Sequence, residues 1–118
     1  MSNETVVREI VDAWARGDAA VRMAELVTPD YVHHTIGGDW DLRQFLAGLT
    51  WVSARLEERS YRIDHLVVEG DMAAAYLTWS AVRAEDGARI EGRGAYHCRF
   101  RDGRVAEDWD VFHPMPGE

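Results

Sequence analysis

Apolar residues at Val6, Val7, Ile10, Val11 and Trp14 recur at helical spacing and predict an amphipathic helix over residues 4–16. Gly17 suits its C-terminal end, and Asp18 the N-cap of a second helix, roughly 19–27. Val21, Ala24 and Leu26-Val27 make the inner side of that helix, and Pro29 stops it. Tyr31-Val32-His33-His34-Thr35 is a short β-rich segment ended by Gly37-Gly38. Asp41 with Gln44 forms a capping box that opens a third helix. Leu42, Phe45, Leu46, Leu49, Val52 and Leu56 keep its period to about Arg59.

From Tyr61 onward the pattern changes to strands. Stretches 61–69 and 72–83 flank a turn at Gly70-Asp71, and Glu85-Asp86-Gly87 makes the next turn. Strands over 90–101 and 104–112 follow, joined at Asp102-Gly103, a pair that supplies the positive φ angles of a tight hairpin. The tail Pro114-Met115-Pro116-Gly117 is irregular. Helices followed by a four-stranded antiparallel meander predict an α+β architecture, with the helices packed on one face of the sheet. A curved sheet closed over by helices makes a cone with an internal pocket, the place for a small molecule.

At 118 residues the chain is expected to be one domain, 1–118, with one core. No apolar run is long enough to span a bilayer and no basic-then-apolar leader opens the chain, so the default expectation is cytoplasmic, with no membrane partner. A net charge of −8, with Arg scattered rather than clustered, argues against nucleic acid. The single Cys98 excludes an internal disulfide and reads as a small buried apolar residue. Five Trp are many for this length, and indoles can wall a pocket for a flat or apolar ligand.

Candidate chemistry concentrates in the last hairpin. Alternation puts Tyr96, Cys98 and Phe100 on one face of its first arm. On the second arm it puts Asp108, Asp110 and Phe112 on one face, and Val105, Glu107, Trp109 and Val111 on the other. Two carboxylates in register beside Phe112 are an odd choice for a structural apolar face. The plain reading of Asp110 is an exposed acid or one paired with an Arg such as Arg99. The functional reading is a partly buried acid whose pKa is raised by desolvation, and by Asp108 if both face one pocket. His33 and His34 are adjacent in a strand, so at most one of them faces a pocket. Trp14, Trp40, Trp51, Trp79 and Tyr96 are candidates to wall a cavity, each otherwise serving as core. The sequence has no His-x-x-x-His, no Cys pair, no phosphate loop, no nucleophile elbow and no nucleotide fingerprint, so neither metal nor cofactor is expected.

Thr28-Pro29-Asp30-Tyr31, Phe100-Arg101-Asp102-Gly103-Arg104-Val105 and Asp108-Trp109-Asp110 resemble the nuclear transport factor 2-like superfamily, and within it the SnoaL-like polyketide cyclases. The resemblance covers nearly the whole chain and implies a cone-shaped α+β barrel with a mainly antiparallel sheet. It further implies that Asp110 is the cavity carboxylate acting as general acid/base in an aldol closure, with Asp108 where the family often has His. The family's cavity-facing His on the preceding strand is replaced by Tyr96, and His97 lies one residue on, on the other face. The segment after Pro-Asp-Tyr carries a pocket His or Asn in many relatives, a role for His33 or His34 in which the family position favours His34. Relatives of this fold pair sheet to sheet, which implies a homodimer.

These readings converge on a cofactor-free lyase or isomerase acting on a small hydrophobic or aromatic carbonyl compound. Asp110, His34 and Asp108 are its candidate catalytic residues; Tyr96, His33, Trp14, Trp51, Phe112 and Tyr31 are its candidate substrate contacts. The alternative is a non-catalytic ligand-binding or accessory protein of the same fold. An Arg salt bridge locking Asp110 would favour that alternative, and a free carboxylate beside His or Tyr would favour the enzyme.

Overall fold

Helix α1 (Asn3–Ala15) begins at Ser2, whose hydroxyl accepts a hydrogen bond from the Thr5 N–H at 3.1 Å, and it buries the predicted stripe Val6, Val7, Ile10, Val11 and Trp14. The structure, a computed structural model, describes residues 1–16 and 18–116; the expected helix end at Gly17 and the tail residue Gly117 lie outside the described residues. Helix α2 (Ala19–Leu26) departs from expectation in two ways. Asp18 turns its side chain to Arg16 instead of capping the helix, and the buried residues are Met23 and Leu26 while Val21 and Ala24 face outward. Two turns are too few for a period to fix its own phase, so packing decides it. The helix also ends before Pro29 is reached, because Val27 already pairs with Val105 in a sheet.

Strand β1 (Val27–Thr35) turns at Ile36-Gly37 into a short strand β2 (Gly38–Asp41), which pairs antiparallel with it and places His33 opposite Trp40. Helix α3 (Leu42–Arg55) carries the predicted capping box, with the Gln44 N–H on the Asp41 carboxylate at 2.8 Å and the Asp41 N–H on the Gln44 side chain at 2.9 Å. The helix does not continue to Arg59. Strand β3 (Leu56–Glu69) starts where Leu56 is buried with Trp79 and Ala81, and Leu56 pairs with Arg83 of strand β4 (Met72–Arg83). Strands β5 (Arg89–Arg101) and β6 (Arg104–His113) complete a six-stranded sheet of order β2-β1-β6-β5-β4-β3. Every neighbouring pair is antiparallel except β1 with β6, which is parallel. The sheet is curved, and the helices pack on the face that carries Ala73, Ala75, Leu77, Tyr96, Cys98 and Phe100. This is the expected α+β cone. No described helix is long and apolar enough to cross a membrane.

The last hairpin turns at Asp102 and Gly103 with φ of 53° and 81°, both positive as a two-residue turn of this kind requires. Beyond it, Arg99 pairs with Glu107 and Phe100 with Val105, so Ala106 is an extra residue, a β-bulge. That bulge corrects one face assignment. Val105 is fully buried on the core side with Phe100, while Asp108, Asp110 and Phe112 share that side as alternation from the far end of the strand predicts.

Candidate active site

Register places the site. Antiparallel pairing sets Asp108 opposite Cys98 and Asp110 opposite Tyr96, and the parallel pairing sets His33 opposite Asp108. Two steps before His33 on the same face of β1, Tyr31 reaches the same carboxylate. Asp108 is completely buried, and a buried carboxylate persists only where donors surround it. Three do. The Tyr31 hydroxyl donates to both oxygens at 2.9 Å, the Tyr96 hydroxyl to Oδ2 at 2.8 Å, and His33 Nδ1 lies 2.6 Å from Oδ1. Burial, and then the charge of Asp108, pushes the pKa of both phenols up, so they stay neutral donors.

An ionised carboxylate can only accept, so His33 gives it the Nδ1 proton and turns Nε2 the other way. Nε2 lies 3.5 Å from Asp110 Oδ2, ion-pair range rather than a made hydrogen bond. The Asp110 side chain is only 13% exposed, and what exposure it has is to the cavity. Burial raises its pKa to about 6, with His33 pulling down against it and Asp108 pushing up. Asp108, His33 and Asp110 thus form a line from a fully buried carboxyl group, through the imidazole, to a cavity-facing carboxyl whose pKa burial pushes up.

The cavity that Asp110 and His33 face has a volume of about 570 Å³. Its walls are Trp14, Trp40, Phe45, Trp51, Tyr61 and Phe112, with Leu49 and Val52 of α3 between them and Ile36 and Met115 at the rim. Trp14 meets Tyr61, Tyr96 and Phe112 edge to face at 5.7, 5.1 and 6.2 Å. No Arg is among the lining residues, and among the described residues none bridges Asp110. Arg99, the partner considered for it, sits on the outer face with Glu107 at 3.0 Å. No three His, Cys, Asp or Glu side chains among the described residues are arranged to hold a metal ion.

Of the residues read from the sequence, Asp110, His33, Trp14, Trp51 and Phe112 line the cavity, as does Trp40. Four do not. His34 lies on the outer face, with Nδ1 2.7 Å from Asp39, Nε2 2.9 Å from Glu107 and its ring stacked on Trp109 at 4.8 Å. Because β1 buries Tyr31 and His33 inward, alternation sends His34 out. Asp108, Tyr31 and Tyr96 lie behind the wall, buried, with both phenols and His33 Nδ1 on the Asp108 carboxyl group. Trp79 is absorbed by the second core cluster. Tyr61 was not singled out by the sequence, nor was the α3 stripe Phe45, Leu49 and Val52 as a cavity wall. That stripe has helical core spacing, and nothing in the spacing separates a wall from a core.

Fold and site together define an aromatic-walled pocket in a cone of the nuclear transport factor 2-like type, with His33 beside the buried carboxyl group of Asp110. The sequence profile of the SnoaL-like domain matches residues 7–108, and the chain belongs to that family. Among solved structures it is similar to IdmH of Streptomyces antibioticus, a proposed polyketide cyclase, at 20% identity over 98% of this chain and 95% of that one, with a TM-score of 0.89. It is also similar to AclR of Streptomyces galilaeus, a proposed hydroxylase, at 22% identity over 97% and 90% with a TM-score of 0.86. A proposed SnoaL-like polyketide cyclase from Jannaschia aligns at 15% identity over 93% and 84%, with a TM-score of 0.85. Identities this low speak for the fold. No curated protein matches the chain.

Proposed function

We propose that the protein is a cofactor-free acid/base enzyme that enolises a small aromatic or otherwise hydrophobic carbonyl compound in this cavity. One observation carries the reading: Asp110 is a buried, cavity-facing carboxylate with a pKa near 6, free of any described Arg and set beside an imidazole that Asp108 orients. A carboxylate so placed takes the proton from the carbon next to the carbonyl, and the C–H electron pair moves to the carbonyl oxygen. His33, with Nε2 toward Asp110, favours the ionised carboxylate that takes the proton. The enolate then attacks a second carbonyl, is reprotonated at another carbon, or expels a hydroxyl. These outcomes correspond to cyclase, isomerase and dehydratase, and the likeness to IdmH and to the Jannaschia protein, both proposed polyketide cyclases, favours the first.

Deuterium exchange tests this without knowledge of the natural substrate. Acetylnaphthalene in heavy water is expected to gain deuterium at its methyl group faster with the protein than without it. The rate should rise with pH through about 6, because the base is the ionised form of Asp110. Asp110→Asn should abolish the acceleration. Saturable binding without exchange in the wild type would point instead to a binding protein.

A further inference from the structure

Enolisation leaves negative charge on the carbonyl oxygen, and a site that catalyses it needs a donor aimed at that oxygen. Several polar groups at or behind the cavity wall are already committed. The Tyr31 and Tyr96 hydroxyls and His33 Nδ1 serve Asp108. The Thr35 hydroxyl donates to the Gly38 carbonyl at 2.7 Å. Trp14 Nε1 is buried without a partner among the described residues. Tyr61 differs from all of these. It lines the cavity from β3, across the sheet from β6, and its ring is held edge-on by Trp14 and Phe112 at 5.7 and 6.4 Å. Its hydroxyl bonds no other described residue, yet it is not among the buried unpartnered atoms, so it is open to the space it lines.

We infer that Tyr61 is the hydrogen-bond donor that receives the substrate's carbonyl oxygen, opposite Asp110. The inference rests on the enolisation reading, and it names the second half of that site. Burial keeps the phenol protonated, its pKa pushed up to about 12, with Arg59 pulling down and the charge of Asp110 pushing up. Both groups line the same cavity. A ligand set between them has its acidic carbon on the carboxylate and its oxygen on the phenol. The ring packing also fixes the phenol in advance, so little ordering is needed when the ligand arrives.

The test compares acetylnaphthalene with ethylnaphthalene, which has a similar shape and no acceptor, by quenching of tryptophan fluorescence. The wild type is expected to prefer the ketone by about three- to tenfold, the ratio given by one hydrogen bond of ordinary net strength. Tyr61→Phe keeps the ring and its packing, and should erase the preference while leaving the affinity for ethylnaphthalene within about twofold. Infrared spectra of the carbonyl-labelled ketone give a second measurement on the unaltered protein. The bound carbonyl stretch should fall to lower frequency and return in Tyr61→Phe. A preference or a shifted stretch that survives in Tyr61→Phe would overturn the assignment, as would a wild type that does not discriminate or binds neither probe. The two readings fail separately. Exchange lost in Asp110→Asn but intact in Tyr61→Phe removes Tyr61 alone, and a Tyr61-dependent preference in a protein that never exchanges deuterium removes enolisation alone.

Discussion

Asp108 touches no ligand space, yet three buried donors depend on it. Replacing it by Ala would leave two phenols and an imidazole without acceptors, and a loss of about 3–5 kcal/mol in urea unfolding is expected. Asp108→Asn keeps the volume but brings an amide that cannot accept from all three. It should cost less stability and still slow deuterium exchange by about tenfold or more, since His33 loses the contact that fixes its tautomer. Alternation in the last strand was enough to pair Asp108 with Asp110 on one face. It could not say which of them is buried behind the wall and which faces the cavity, because that depends on which of them the tyrosines cover. For His33 and His34 the sequence established only that they diverge. The choice between them comes from Tyr31, whose burial two positions earlier sets the phase of the strand.

Strands β5 and β6 shape the cavity through one close approach. A β-carbon placed on Gly94 would fall 2.2 Å from Phe112 Cδ1, so the ring lies directly on the glycine backbone. Gly94→Ala must push Phe112 into the cavity that it lines. Weaker acetylnaphthalene binding and a stability loss of about 1–3 kcal/mol are expected, measured by fluorescence titration and urea unfolding. Long elements were legible because their period is long: α1, the capping box of α3, and the turns at Gly70-Asp71 and Asp102-Gly103 fall where the pattern puts them. Strand β2 was not, since four residues with one apolar side chain carry no period. The handover from α3 to β3 was missed because Leu56 fits the helical stripe equally well, and only its burial against Trp79 decides for the strand. Ala106 was invisible for a related reason: a bulge changes pairing without changing composition.

For the molecule as a whole, the site is a cost. The pKa of Asp110 is 3.8 when unperturbed and about 6 in the folded state, so between those values the native protein holds a proton that the unfolded chain has released. Stability therefore falls as pH rises through that window, and above it the full penalty applies, at most about 3 kcal/mol. Asp110→Asn should be more stable than the wild type by about 1–3 kcal/mol at pH near 8 and show little gain near pH 4, by urea unfolding at each pH.

The parallel contact between β1 and β6 joins residues 75 to 78 positions apart in the chain. A ribosome makes β1 early, and until β6 follows, one side of that strand has no neighbour, while His33 and Tyr31 have nothing to receive their protons. The line of Asp108, His33 and Asp110 therefore does not mature gradually during synthesis. It closes in one late docking step, and a nascent chain caught before that step carries an aromatic pocket wall and an unpaired strand edge without the carboxylates that justify either.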